Sequence, residues 1–366
     1  MTPHDRFLAL MRFQPVDRPP LTEWGPWEST LDAWQVETGL SVAELLAWQA
    51  ECDPVVNPAV DFAMRPAFPE TTIAEDVETI TRRDGMGQIY RVFKAHPDTS
   101  MPEFIGFPVA GWDDWNRIKP LFDPSDPARY PADWDERIAR MRTERPIVNL
   151  YGFVASYYGG PSLFGFVRML MGPEAALYAF YDEPALVHDM METAAEFALA
   201  VLDRALREAP VTYVQFWEDM CFRGGPLISP ALVREFMVPR YQRLTERIHA
   251  AGIDLIVLDS DGDVRELLPL WLESGINGLM PFEQAAGNDL YAYRKAYGRD
   301  LCIFGGIDKR ALAQGSAAID AELARIAPLV EMGGYLPTLD HAIPPDVSYA
   351  HFSYYWQAKK RMLGIT

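Results

Sequence analysis

Ile253-Asp254-Leu255-Ile256-Val257-Leu258-Asp259-Ser260-Asp261-Gly262-Asp263 decides how this chain folds. An apolar run of strand length stops at a loop with acids on alternate positions, and a helical pattern, Val264 to Glu273, follows. A near-continuous Val/Ile/Leu run is what a parallel strand needs when helices cover both of its faces. Acids crowded at the end of such a strand repel one another at short range. The carboxyl ends of strands are also where α/β proteins place their chemistry. This acidic loop is therefore expected to form one wall of an active site.

The same rhythm extends in both directions. After Pro146, strand-like runs at 147–151, 211–217, 253–258, 278–282, 301–305 and 335–337 alternate with helical patterns at 172–208, 229–250, 264–273, 288–297, 316–331 and 346–362. Ser229-Pro230 is a strong helix start, because Pro is tolerated just inside a Ser cap. Strands alternating with helices at this spacing build right-handed βαβ units around a parallel sheet. Leu21–Trp24 and one further strand before Pro146 bring the count to eight. That favours a closed (β/α)₈ TIM barrel with an elaborated N-terminal region, one domain over residues 1–366. An open doubly wound sheet is the alternative, but no G-x-G-x-x-G turn follows any strand, and no nucleotide cofactor is expected.

The N-terminal region reads differently. Thr2-Pro3-His4-Asp5 caps a helix over Arg6–Phe13 that Pro15, Pro19 and Pro20 stop. Residues 78–92 alternate and contain Asp84-Gly85, a hairpin signal. Residues 98–133 read as irregular connections with one short helix near Trp112–Lys119. Trp24, Trp27 and Trp34 suit a lid or a packing cluster.

The 366 residues carry 49% apolar and 12% aromatic side chains, enough for a sizeable core. A formal charge of −19 argues against nucleic acid and against an anionic membrane surface. Cys52, Cys221 and Cys302 are odd in number and in no metal-type spacing, which suits free thiols in a reducing cytoplasm. The N-terminus shows no secretory h-region, and no stretch approaches the roughly 20 apolar residues of a membrane helix. A cytoplasmic enzyme with a small-molecule substrate is the expectation.

In a barrel, residues just after each strand meet on one face. Those positions hold Glu23 and Trp24, Tyr151, Glu218 and Asp219, Asp259 and Asp261, Glu283, Asp308, and Asp340 with His341. So many acids on one mouth need a metal, protonation or a cationic ligand. Asp259, Asp261, His341 and Glu218 are the catalytic candidates, with Glu218 preferred over its neighbour. His341 suits a metal ligand or a proton donor tuned near neutrality. Glu23, Trp24, Tyr151, Tyr158 and Glu283 are the expected substrate contacts. Tyr157-Tyr158-Gly159-Gly160-Pro161 is either a gate or a turn, and Asp263 and Asp308 each suit a cap as well as a site. The acidic loop is not an EF-hand, since Val264 and Leu270 stand where Gly and Glu belong. No nucleophile elbow, Walker loop, H-E-x-x-H or C-x-x-C is present.

These positions together resemble the uroporphyrinogen decarboxylase family, whose members include decarboxylases and cobalamin-linked methyltransferases on a TIM barrel. The matching stretches are Arg6-Phe7 through Pro15-Val16-Asp17-Arg18-Pro19-Pro20, Gly225–Pro230 with Phe236 and Pro239, and Asp259–Val264. Gly305-Gly306-Ile307-Asp308 and Gly333-Gly334-Tyr335 through His341 and Pro344 complete the set, spanning nearly the whole chain. The decarboxylases carry Arg-Gln-Ala-Gly-Arg after the first strand to hold substrate carboxylates. Here that place reads Glu23-Trp24-Gly25-Pro26-Trp27, an acid and two indoles instead of cations. Methyltransferases of the family carry His-x-Cys-Gly-Asn and a later Cys that bind zinc. Here Asp259-Ser260-Asp261-Gly262-Asp263 and His341 stand in those places. The resemblance thus implies a methyl or one-carbon transferase linked to a corrinoid or corrinoid protein. Decarboxylation of a tetrapyrrole or smaller acid, or a non-catalytic ligand-binding barrel, are the alternatives. It also implies Asp259, Asp261 and His341 as ligands of a divalent metal, whose oxygen-rich set would suit zinc, manganese or iron, and a homodimer.

Overall fold

The acidic strand lies at the centre of a curled, seven-stranded parallel sheet. The computed structural model describes residues 1–95, 102–151 and 162–365. In spatial order the strands are Val55–Val56, Ile147–Leu150, Tyr213–Trp217, Ile256–Asp259, Gly278–Met280, Cys302–Phe304 and Tyr335–Leu336. Every neighbouring pair is parallel. Six of these are the strands expected after Pro146, and Val55–Val56 is the further one expected before it.

Period-two alternation divides each strand between two cores. Phe216 faces outward onto Tyr241 of the Val238–Ala250 helix, with ring centroids 5.2 Å apart. Tyr213, three residues earlier, turns inward and stacks on Phe7 at 5.2 Å. Phe7, Leu10 and Met11 of the Pro3–Met11 helix join Ile147, Tyr213, Leu255, Val257, Cys302, Phe304 and Leu336 in the inner cluster. Ile147, Tyr213, Leu255 and Cys302 lie at or just before the starts of their strands, so the N-terminal helix floors the sheet and leaves the carboxyl ends open. Arg6 anchors that floor, reaching Asp53 at 2.7 Å and Asp17 at 2.8 Å. Arg18 also reaches Asp53, at 2.6 Å. The Arg6…Asp17-Arg18 stretch is therefore a structural clamp.

Leu21–Trp24 departs from expectation, since it forms no ladder. Pro19, Pro20 and Pro26 supply no N–H, which leaves too few donors for a regular strand. The segment still bonds on both sides. Asp53 N–H donates to Leu21 O at 2.8 Å, Ile343 N–H to Gly25 O at 3.2 Å, and Trp27 N–H to Ile343 O at 3.1 Å.

The hairpin at 78–92 is present as Thr79–Arg83 against Ile89–Phe93, and Asp84 bonds the turn amides of Met86 and Gln88. It belongs to a four-stranded antiparallel sheet with Thr71–Glu75 and Glu103–Gly106. Glu103–Gly106 lies in the stretch expected to be irregular. Its pairing to Ile89–Arg91 is tertiary and leaves little local signal. The expected helix at 229–250 breaks at Met237 because Pro239 cannot donate, giving Pro230–Phe236 and Val238–Ala250. The helix expected from Val264 begins only at Leu268.

Candidate active site

The acidic loop stays open to the mouth because Gly262 holds φ at +80°, and a Cβ there would lie 2.6 Å from the backbone of Cys221 and Phe222. The loop is thus pressed against the segment that carries Glu218 and Asp219. Asp259 O accepts from the Glu218 N–H at 2.9 Å and, more weakly, from the Asp219 N–H at 3.3 Å.

Four expected residues gather here. Asp261 Oδ2 and His341 Nε2 stand 3.7 Å apart, with side chains 35% and 24% exposed. The distance is too long for a direct hydrogen bond and short enough for both groups to touch one substrate atom. Burial, reinforced by the neighbouring Glu283 and Asp219 charges, pushes the Asp261 carboxyl up to about 7. Asp259 is likewise raised well above the ordinary carboxylate range, by burial first and then by Asp261 and Asp219. Burial and the Lys309 charge push the His341 imidazole down. Near neutral pH the pair is thus a carboxyl that can give a proton and an imidazole that can take one. Glu283 accepts from the Gly262 N–H at 3.0 Å and faces Lys309 at 3.6 Å, so it fixes the loop and part of the mouth's charge.

Trp24 lies beside this pair. Its ring stacks on His341 with centroids 5.9 Å apart, and Trp27 stacks on the same imidazole at 5.6 Å. Trp34 belongs elsewhere: it is fully buried and donates to Val347 O at 2.7 Å. The Trp cluster thus splits into two mouth residues and one packing residue.

Two expected site residues point away from the mouth. Glu218 is fully buried and accepts from the Leu163 N–H at 2.7 Å, the Gly165 N–H at 2.9 Å, the Ser162 hydroxyl at 3.2 Å and the Tyr241 hydroxyl. It caps the start of the Phe164–Met171 helix. Asp219 takes the mouth position instead, held by Arg168 at 3.2 Å. Adjacent residues leave a strand end in opposite directions, so only one of the two can face the ligand. Glu23 is also fully buried, paired with Lys359 at 2.7 Å. Its other oxygen accepts from Leu339 and Trp24 N–H groups at 2.8 and 2.9 Å. That carboxylate welds the first segment to the last and is unavailable to a substrate.

Tyr151 follows its strand as expected, and its carbonyl accepts from Asn57 Nδ2 at 2.7 Å. Tyr158 and its glycine-rich neighbourhood lie outside the described residues. Asp308 caps the Lys309–Gln314 helix, and Asp263 closes a turn onto Arg265. Asp340 is buried and accepts from Gln284 and Lys309 N–H groups at 2.8 and 3.0 Å. Lys309, the cation facing Glu283, follows Asp308 in the glycine-rich stretch, but nothing in its local sequence announced that role.

Among the described residues, no three His, Cys, Asp or Glu side chains are placed to close on one ion. Asp259, Asp261 and His341 therefore do not fit the implied metal set. Cys221 and Cys302 are buried free thiols, and burial raises both to about 12, the opposite of what a metal-binding thiolate needs.

Residues 93–362 match the model of the family described as uroporphyrinogen decarboxylase (URO-D). The chain belongs to this family. Uroporphyrinogen decarboxylase from Pseudomonas aeruginosa is 25% identical over 369 residues, covering 97% of this chain and 96% of its own length. The enzymes of the same name from Ectopseudomonas mendocina and Xanthomonas campestris are each 26% identical, over 370 and 377 residues. Those alignments cover 97% and 96% of this chain and 96% of each relative. A solved methyltransferase from Methanosarcina mazei shares the fold with a TM-score of 0.61 and 16% identity, over 99% of both chains. Enzymes of both kinds are thus built on this architecture, and this chain is an enzyme of the family. The match to the family model begins at residue 93, so Glu23–Trp27 lies outside it.

Proposed function

We propose that this protein is a methyl or one-carbon transferase of the uroporphyrinogen decarboxylase family acting on a small molecule. The observation that carries this reading is that the cations at the mouth, among the described residues, are already paired. Asp219, Asp259, Asp261 and Glu283 line the mouth, and its cations, Arg168 and Lys309, already face Asp219 and Glu283. A polycarboxylate porphyrinogen would find no unpaired cation there, among the described residues, to hold its carboxylates. Trp24 and Trp27 supply flat apolar faces suited to an uncharged or cationic substrate.

A methyl group that leaves oxygen or nitrogen leaves behind a basic heteroatom that must gain a proton. Asp261 in its carboxyl form donates that proton, and His341 positions the heteroatom from the other side. In the reverse direction the Asp261 carboxylate takes the proton back from the incoming nucleophile, and His341 again positions the heteroatom. A corrinoid carried by a partner protein, as the family resemblance implies, would be the methyl carrier. We also propose that Leu21–Pro26 is the eighth stave of a closed barrel, on the strength of its bonds to Asp53, just before Val55–Val56, and to Ile343, in the segment after Tyr335–Leu336, and that the chain is one domain.

The test incubates the protein with cob(I)alamin and a panel of ¹³C-methoxy, methylamino and methylthio compounds, reading methylcobalamin by absorbance and NMR. Protein-dependent methylcobalamin is expected from at least one donor class. The relatives' names and the placement of His341 favour a second reading, decarboxylation of a tetrapyrrole or smaller acid. Release of CO₂ from uroporphyrinogen or a smaller acid, with no methyl transfer, would establish it.

A further inference from the structure

Asn149, Gln215 and Asp259 occupy three neighbouring strands. In the sheet register Asn149 lies opposite Tyr213 and Asp259 opposite Trp217, so Gln215 stands midway between their levels. Each successive residue is two positions nearer the mouth, and a two-residue step keeps a side chain on the same face. The three side chains form an ascending stair. Asn149 Nδ2 donates to Gln215 Oε1 at 2.7 Å. Gln215 Nε2 reaches Asp259 Oδ2 at 3.5 Å, a long contact of the kind that tightens when a site is occupied. Both amides point their donors toward the mouth, and hydrogen bonds in series polarise one another.

Beneath the stair lie the apolar floor and the Tyr213 ring. Asn149 is only 5% exposed, and its Oδ1 has no hydrogen-bond partner among the described residues. Apolar side chains of similar volume would fill this space without the cost of desolvating two amides. Packing therefore does not explain their polarity.

We infer that Asn149 and Gln215 are positioning residues that tether one oxygen of Asp259 and present the other to the substrate. This rests on the mouth being the reaction site. Among the described residues, Gln215 is the one hydrogen-bond donor that reaches the Asp259 side chain.

The experiment compares Gln215→Met, which keeps length and removes both bonds, with Asn149→Leu, which removes the first donor without touching Asp259. The readout is the ¹³Cγ resonance of Asp259 in the full chain labelled with ¹³C-aspartate, assigned by its loss in Asp259→Asn. Gln215→Met should displace it beyond the linewidth. Asn149→Leu should move it in the same sense by less, with the melting temperature of both variants unchanged or higher. If one variant does not fold, the other decides. A resonance unmoved in the folded variants overturns the proposal. With a methyl donor in hand, kcat should fall about tenfold or more in Gln215→Met, with KM within about twofold of wild type. Failure of the wild-type protein to transfer methyl groups would instead count against the functional reading, because the resonance needs no substrate.

Discussion

Replacing Glu23 by Ala strips a fully buried cation of its counterion. Lys359 Nζ donates to Glu23 Oε2 at 2.7 Å and to Thr22 O at 2.6 Å, and neither charged side chain is exposed. Breaking one side of such a pair costs about 3–5 kcal/mol. The Leu339 and Trp24 N–H groups lose their acceptor as well, which adds about 1–3 kcal/mol for a buried donor. An unfolding entropy of roughly 0.77 kcal/mol/K follows for 366 residues at about 2.1 cal/mol/K each. A total of about 4–8 kcal/mol therefore lowers the melting temperature by about 5–10 °C. Scanning calorimetry at one scan rate measures it. Glu23→Gln with Lys359→Met keeps an acceptor, carries no unpaired charge, and should recover most of the loss, so the pair couples strongly in a double-mutant cycle. Ligand affinity should stay unchanged in the rescued protein. A Glu23→Ala variant that melts with wild type but binds ligand poorly would refute this reasoning and return Glu23 to the mouth.

Other variants test the site from different sides. Asp340 has a carboxyl raised from 3.8 to about 6, by burial first. The folded state therefore holds this proton more tightly than the unfolded state. Stability should fall by roughly 3 kcal/mol as pH rises from about 4 to 6, and denaturant titrations of Asp340→Asn should show that slope lost. The proposed mechanism uses Asp261 as a proton donor, and its carboxyl is pushed up to about 7, so activity should decline above about pH 7. Asp261→Asn should lose about 10²–10⁴ in rate together with that alkaline limb. Trp27→Ala uncovers one face of His341, and an NMR titration should move the imidazole back up toward 6.5. Gly262→Ala forces a Cβ to 2.6 Å from Cys221 and Phe222 backbone at positive φ, costing about 1–3 kcal/mol or more, measurable in urea.

The parallel sheet was legible because its strands are apolar runs between helical patterns, and that signal is local. The irregular course of Leu21–Trp24 was not, because its bonds depend on distant partners at 53 and 343. At the site, position along the chain located Asp259, Asp261, Glu283, Trp24 and His341, since strand ends converge. It did not tell Glu218 from Asp219. Both follow the same strand, and only the packing of the Phe164–Met171 helix onto Glu218 separates them. Glu23 misled for a similar reason, because its partner Lys359 lies in the last helix. Asn149 and Gln215 could have been flagged as polar residues interrupting otherwise apolar strands, a signal present at 149 and 215.

The most direct test of the acidic mouth compares wild type, Asp261→Asn and His341→Ala for methylcobalamin formation from labelled methyl donors and for CO₂ release from uroporphyrinogen. The geometry predicts methyl transfer by the wild-type protein, a loss of about 10²-fold or more in both variants, and no CO₂. Release of CO₂ from uroporphyrinogen at an undiminished rate in Asp261→Asn would contradict it.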